Sequence, residues 1–195
     1  MTALLEVRHL AIPEVRELVP RSFGDSRGTF REVFNRKRFA AETGIHADFV
    51  QSNQSFSAEK GTLRGLHYQA PPAAQAKLVW AARGAILDVA VDIRAGSPTW
   101  GRWVALELSA EAGNQIYVPA GFAHGFLTLT AETTVQYMVD AYYAPAQEGG
   151  IAWNDPDLAI DWPLAGAAPK LSERDAKWRP LAETGTPFRF EEQAA

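Results

Sequence analysis

Between Gly61 and Asp140 the apolar residues come in short runs cut by Gly, Pro, Ser and Asn, the pattern of an all-β sandwich or barrel. Helical periodicity is nearly absent there. The clearest run is Ile86 to Arg94, where Leu87, Val89, Val91 and Ile93 alternate with Asp88, Ala90, Asp92 and Arg94, which predicts a strand with one buried face. Further strands are predicted over Phe30 to Phe34, Phe49 to Ser55, Leu78 to Ala82, Trp103 to Leu108, Gln115 to Val118, Gly125 to Leu129 and Thr134 to Asp140. So many short strands call for closure, because a barrel or double-sheet roll removes exposed edges. Helix signals mark Asn35 to Thr43, with Asn35 as cap and Gly44 as stop, and Ser172 to Trp178, closed by Pro180. The tail from Tyr143 to Ala195 is rich in Pro, Gly and Asp, yet Trp153, Trp162 and Trp178 predict packed irregular structure within the same domain.

The chain has 195 residues, the length of one compact domain with a substantial core, so a single domain over 1–195 is expected. It contains no cysteine, which excludes disulfides, thiolate metal sites and cysteine nucleophiles and agrees with a reducing, cytoplasmic setting. Glu6, Arg8 and His9 interrupt the first ten residues, unlike a signal peptide, and nowhere do about eighteen apolar residues run together to span a membrane. A net charge of -4 without a basic block argues against nucleic-acid binding, while leaving room for a small anionic ligand held by a few arginines.

Candidate chemistry gathers in a few segments. In Arg64-Gly65-Leu66-His67-Tyr68-Gln69, strand geometry puts His67 and Gln69 on one face; an isolated histidine of this kind is more often a wall residue bonded to a neighbour. The segment Pro119 to Phe126 resembles the second motif of cupins, double-stranded β-helix barrels whose metal-binding members take two histidines and a carboxylate from the first motif and another histidine from the second. Here Gln69 replaces one of those histidines, leaving His67 and His124, fewer than the three or four ligands of a firmly held transition metal. No metal is therefore expected, and His67 becomes available as a general base. Tyr137, on a face with Val135 and Val139, is a candidate acid or an ordinary core tyrosine. Lys77, at a strand start, could hold an enolate oxygen or be a solvated strand end. Asp175 lies in Ser172-Glu173-Arg174-Asp175, which also reads as a capping box. Glu32, predicted on an aromatic strand face with Phe30 and Phe34, would be costly to bury unless paired. Arg64 and His67, three positions apart, should face opposite sides of a regular strand; a bulge or kink at Gly65 would bring both to one site.

Taken in order, Asp25-Ser26-Arg27-Gly28, Gln51-Ser52-Asn53, Arg64 to Gln69, Lys77-Leu78-Val79, Asp88 to Asp92, Pro119 to Phe126, Trp153 to Pro156 and Leu171 to Asp175 resemble the dTDP-4-dehydrorhamnose 3,5-epimerase family, from about Phe23 to Leu181. The resemblance implies an all-β, cupin-like jelly-roll barrel with a few short peripheral helices. It also implies a homodimer and a cofactor-independent inversion of C3 and C5 of a dTDP-linked 4-keto-6-deoxy sugar. It makes His67 the base, Asp175 the carboxylate that orients it, Lys77 the enolate stabiliser and Tyr137 the acid. Substrate contacts carry over to Arg27, Glu32, Gln51, Ser52, Asn53, Arg64, His124 and Glu148, with Arg27 and Arg64 offering charge for a diphosphate. Arg174 stands where family members often carry Lys, keeping charge but changing geometry. Three other readings compete: a single-centre epimerase of another nucleotide-linked keto sugar, a non-catalytic sugar-binding cupin, and a metal-dependent cupin enzyme.

Overall fold

A computed structural model describes residues 3–191. In chain order its elements are β1 (Leu5–His9), β2 (Arg16–Pro20), β3 (Ser22–Asp25), β4 (Gly28–Arg31), α1 (Arg36–Thr43), β5 (Gln51–Ser57), β6 (Leu63–Gln69), β7 (Lys77–Arg83) and β8 (Ala85–Asp92). There follow β9 (Arg94–Ala95), β10 (Trp103–Ser109), β11 (Gln115–Val118), β12 (Phe122–Thr128), β13 (Thr133–Val139), β14 (Glu148–Gly150), α2 (Leu181–Thr184) and β15 (Phe188–Arg189). The strands build a six-stranded sheet, β1-β2-β11-β7-β13-β5, and a five-stranded sheet, β10-β8-β12-β6-β14. From β5 to β8 and again from β10 to β14 the consecutive strands alternate between the two sheets, as in a jelly roll.

The inner faces of both sheets meet in one apolar cluster: Val79, Ile116 and Val135 come from the six-stranded sheet, Ile86, Ala90, Val104, Phe122 and Phe126 from the five-stranded one. The outer face of the five-stranded sheet is covered by the C-terminal segment, where Ile151, Leu158, Trp162, Leu181 and Phe188 pack on Leu66, Val89, Val91 and Ile93. Leu66, Ile93 and Ile151 are fully buried there, each stabilising the fold by roughly 1.5–3 kcal/mol. The fully buried carboxylate of Asp155 ties this covering down by accepting the backbone N–H groups of Asp157, Leu158 and Leu181. The other sheet is covered in part by α1, whose Phe39 packs with Leu18, Leu78 and Tyr117.

This double covering corrects the reading of the Ile86 to Arg94 run. β8 is buried on both faces, and Asp88 and Asp92 are wholly inaccessible: alternation identified the strand, but the polar positions face the barrel interior and a buried ion-pair cluster instead of water. The helix at Asn35 forms as expected, with the Asn35 side chain accepting from the Arg38 N–H and Gly44 left-handed at φ 69°. Ser172 to Trp178 does not form a helix. Ser172 Oγ accepts from the Asp175 N–H at 3.1 Å, but only a 3₁₀ turn over Asp175–Lys177 follows, because Trp178 turns inward against Gly150, where a Cβ would lie 2.3 Å from the indole. The strand predicted over Phe30 to Phe34 stops at Arg31, so Glu32 and Phe34 share no strand face. β1 and β2, missed in the sequence, pair antiparallel at the sheet edge.

Candidate active site

A cavity of about 470 Å³ opens between the two sheets. β6 supplies one wall, and its geometry turns on Gly65. In the β6–β12 pairing His124 lies opposite His67 and Phe126 opposite Arg64, so two residues of β6, Gly65 and Leu66, oppose the single Gly125. This is a bulge. It puts Arg64 and His67 on the same cavity, which a regular strand would forbid. Gly65 has φ 132°, and a Cβ there would come within 2.6 Å of the Gly125 Cα; only paired glycines allow the two backbones to approach so closely.

His67 is held from behind. Its Nε2 is 2.5 Å from Asp175 Oδ1, with the histidine side chain 23% exposed toward the cavity and the aspartate 5%. The Trp178 indole meets the imidazole edge-on at 6.4 Å. Burial alone would raise the Asp175 carboxyl, but the hydrogen bond and charge of His67 and the bond from Ser172 outweigh it and hold the group below the usual carboxylate range. The aspartate stays ionised, and its hydrogen bond fixes the orientation of the ring.

The facing wall belongs to the other sheet. Tyr137 on β13 and Lys77 on β7 line the same cavity. Burial raises the Tyr137 phenol, opposed by Arg64 and reinforced by Glu148 and Tyr143, so it stays protonated and able to donate. Burial lowers the Lys77 ammonium to about 8, partly offset by the charges of Asp88 and Glu148. At the mouth, Glu148 Oε2 accepts from Arg174 Nη1 at 2.6 Å and from the Tyr143 hydroxyl at 2.8 Å. Gln69 fastens the neighbouring loops: its amide donates to Ala73 and Tyr142 carbonyls, and its oxygen accepts from the Ala144 N–H. Among the described residues no group of three or more His, Cys, Asp or Glu is arranged to hold a metal.

The sequence profile of the family described as dTDP-4-dehydrorhamnose 3,5-epimerase matches residues 9–183. The chain belongs to this epimerase family. It is 50% identical over 184 residues to the dTDP-4-dehydrorhamnose 3,5-epimerase of Sinorhizobium fredii, covering 93% of this chain and 92% of the relative. The crystal structure of the dTDP-6-deoxy-D-glucose-3,5-epimerase of Legionella pneumophila Philadelphia 1, in complex with dTDP-4-keto-L-rhamnose, superposes with a TM-score of 0.90 at 44% identity, over 96% of this chain and all of that one. The 3'-monoepimerase ChmJ from Streptomyces bikiniensis, in complex with dTDP-quinovose, superposes with a TM-score of 0.84 at 40% identity, covering 89% of this chain and 87% of that one.

Against this epimerase-family cavity, the sequence candidates separate into two groups. His67, Asp175, Lys77, Tyr137, Gln51, Asn53, Arg64, His124, Glu148 and Arg174 all line it. Three do not. Ser52 is exposed between the inward-facing Gln51 and Asn53, as strand alternation demands. Arg27 sits at the tip of the β3–β4 hairpin, salt-bridged to Asp25 at 2.5 Å and 88% exposed. Glu32 pairs with Arg38 Nε at 2.8 Å and Asn35 Nδ2 at 3.2 Å; its ion pair comes from α1, and it needs no buried ligand. Seven cavity residues were not among the site candidates: Ser55, Tyr68, Gln69, Gln75, Phe126, Tyr143 and Ser172; Tyr143 lies in an irregular segment without periodicity, and the signal for Ser55 was its two-residue spacing from Asn53.

Proposed function

We propose that this chain inverts C3 and C5 of dTDP-4-dehydro-6-deoxy-D-glucose to give dTDP-4-dehydro-L-rhamnose. The C4 ketone acidifies the protons on both neighbouring carbons. His67 takes a proton from one face, Lys77 holds the enolate oxygen, and Tyr137 returns a proton from the opposite face, inverting the centre. The observation that carries this reading is the placement of the Asp175-backed His67 and of Tyr137 on different sheets, on two walls of one cavity. Such chemistry moves only protons, so no cofactor or metal is called for, and chelation should leave turnover unchanged. The absence of cysteine agrees with a cytoplasmic enzyme. The two covering clusters share strands with the central one, which supports reading 1–195 as a single domain.

Gln51, Asn53, Arg64, His124, Glu148 and Arg174 supply polar and charged contacts for the nucleotide and the sugar. Arg27 and Glu32 can serve that role only from another copy of the chain. The β3–β4 hairpin bearing Arg27 leaves Phe23 44% and Phe30 70% exposed, a cost that pairing would remove, so we read the enzyme as a homodimer whose hairpins complete each other's sites. Mixing Arg27→Ala protein with His67→Asn protein under subunit exchange should then restore activity, because each mixed dimer regains one intact site; no restoration would remove the shared site.

Proton NMR of the 4-keto sugar nucleotide in deuterated buffer tests the reaction. Enzyme-dependent loss of both the C3 and C5 signals supports double inversion. Loss at one carbon supports the single-centre alternative, which the likeness to a 3'-monoepimerase keeps in play. An intact substrate without exchange refutes the assigned substrate.

A further inference from the structure

The cavity holds a second histidine–carboxylate pair. His124 lies directly opposite His67 in the β6–β12 pairing, so two imidazoles stand side by side on adjacent strands. Each is backed by a different element: His67 by Asp175 from the C-terminal turn, His124 by Asp88 from β8. Both Asp88 oxygens lie 2.9 Å from His124 Nε2. The aspartate is 0% exposed, and His124 Nε2 is its only hydrogen-bond donor among the described residues.

Burial raises the Asp88 carboxyl, and the ring it bonds and the charge of Lys77 oppose that; as a carboxylate it accepts, which puts the hydrogen on Nε2. The other ring nitrogen, Nδ1, has no partner among the described residues and is not among the buried polar atoms lacking one, so it opens on the cavity that His124 lines. A buried carboxylate is costly unless something uses its charge. Here the ring uses that charge through its hydrogen bond, and Lys77, lining the same cavity, adds a favourable positive charge.

We propose that Asp88 is a positioning residue: it locks His124 in the Nε2–H tautomer and thereby presents Nδ1 as the atom that contacts the bound sugar. With a neutral ring, Nδ1 is a hydrogen-bond acceptor for a sugar hydroxyl beside the carbon chemistry, while the Lys77 ammonium on the facing wall donates. Together the two walls match an oxygen acceptor and a hydroxyl donor on one ligand, the pattern of an α-hydroxy ketone. Asp88 touches no ligand and acts only through the ring it holds.

Asp88→Asn preserves shape but lets the amide either accept from Nε2–H or donate to a bare Nε2, so the tautomer is no longer enforced. Imidazole ¹⁵N spectra of histidine-labelled protein without ligand, with His124 assigned by its loss in His124→Gln, read this directly at a pH where the ring is neutral. The wild type should show Nε2 protonated, and Asp88→Asn should show a substantial Nδ1–H population. The kinetic arm rests on the activity proposed above. There Asp88→Asn should lower kcat/KM by roughly 10- to 100-fold, and the double variant with His124→Gln should be no worse than His124→Gln alone, which a merely structural role would not produce. An unchanged tautomer in Asp88→Asn, or losses that multiply in the double variant, overturns the proposal. If the wild type is inactive on this sugar the activity falls, and the tautomer spectrum still decides for or against Asp88.

Discussion

Replacing Gly65 by Ala should damage this protein far more than its single added methyl suggests. Two costs combine. At φ 132° an L-residue is in a region that only glycine populates, worth about 1–3 kcal/mol. The new Cβ would also lie 2.6 Å from the Gly125 Cα and 2.9 Å from the His124 carbonyl oxygen, backbone atoms that cannot swing aside, and such overpacking costs about 1–3 kcal/mol more. A total of about 2–6 kcal/mol corresponds to a fall in melting temperature of roughly 5–25 °C for a chain this size. Gly96→Ala is an internal control: its φ is 84°, but nothing lies within 4 Å of the added Cβ, so it should show the conformational cost alone. Differential scanning calorimetry measures both, and kcat/KM should fall in Gly65→Ala because Arg64 and His67 can no longer share the cavity. Equal melting temperatures for the two variants would refute the claim that backbone contact at the bulge sets the site.

Other expectations follow from the buried charges. Lys77 is shifted from 10.5 to about 8, so between these values the unfolded chain binds a proton that the folded one does not, and stability contributed through this group rises with pH across that window. Lys77→Met should therefore be more stable than wild type at pH 7 by about 3 kcal/mol, an advantage that shrinks toward pH 10, while wild-type turnover falls as pH rises through about 8; a pH-independent stability difference would contradict this. Asp175→Asn should cut kcat by roughly 10²–10⁴-fold with little change in KM, because the ring loses its orienting charge; a loss confined to KM would make Asp175 a binding group instead. Arg94 donates Nε and Nη2 to the fully buried Asp92 and stacks between Phe122 and Phe190. Arg94→Met should destabilise by about 3–5 kcal/mol by removing the charge partner of that carboxylate, which keeps its bonds from Ser97 and Thr99; urea denaturation measures this, and a change below about 1 kcal/mol would show the ion pair to be dispensable.

The strands were legible because one alternation, such as Leu87 to Ile93, repeats in a pattern that only a pleated element satisfies. What alternation could not reveal is which covering each face receives. Asp88 and Asp92 look like solvent positions locally, and only packing from Trp162 and Phe188 on one side and the opposite sheet on the other makes β8 inaccessible on both. Cap chemistry fixed the start and end of α1 at Asn35 and Gly44, since those signals are local. The same kind of signal at Ser172 formed its hydrogen bond without propagating a helix, because Trp178 gains more from the interior. The strand-face placement of Glu32 misled for a related reason: its partner Arg38 is six positions away on an element whose orientation the sequence does not disclose. The bulge at Gly65 was legible as a need, since Arg64 and His67 had to converge, and the structure supplies its means in the apposed Gly125.

The central claim is that His67 and Tyr137 exchange protons with opposite faces of one ligand. The most direct test is to incubate Tyr137→Phe and His67→Asn proteins with the 4-keto sugar nucleotide in deuterated buffer and follow both deuterium incorporation and configuration at C3 and C5 by NMR. Tyr137→Phe should exchange deuterium with retention, since the base still removes a proton and returns a deuteron from its own side, and His67→Asn should do neither. Inversion by Tyr137→Phe at the wild-type rate, or exchange that survives His67→Asn, would contradict the account.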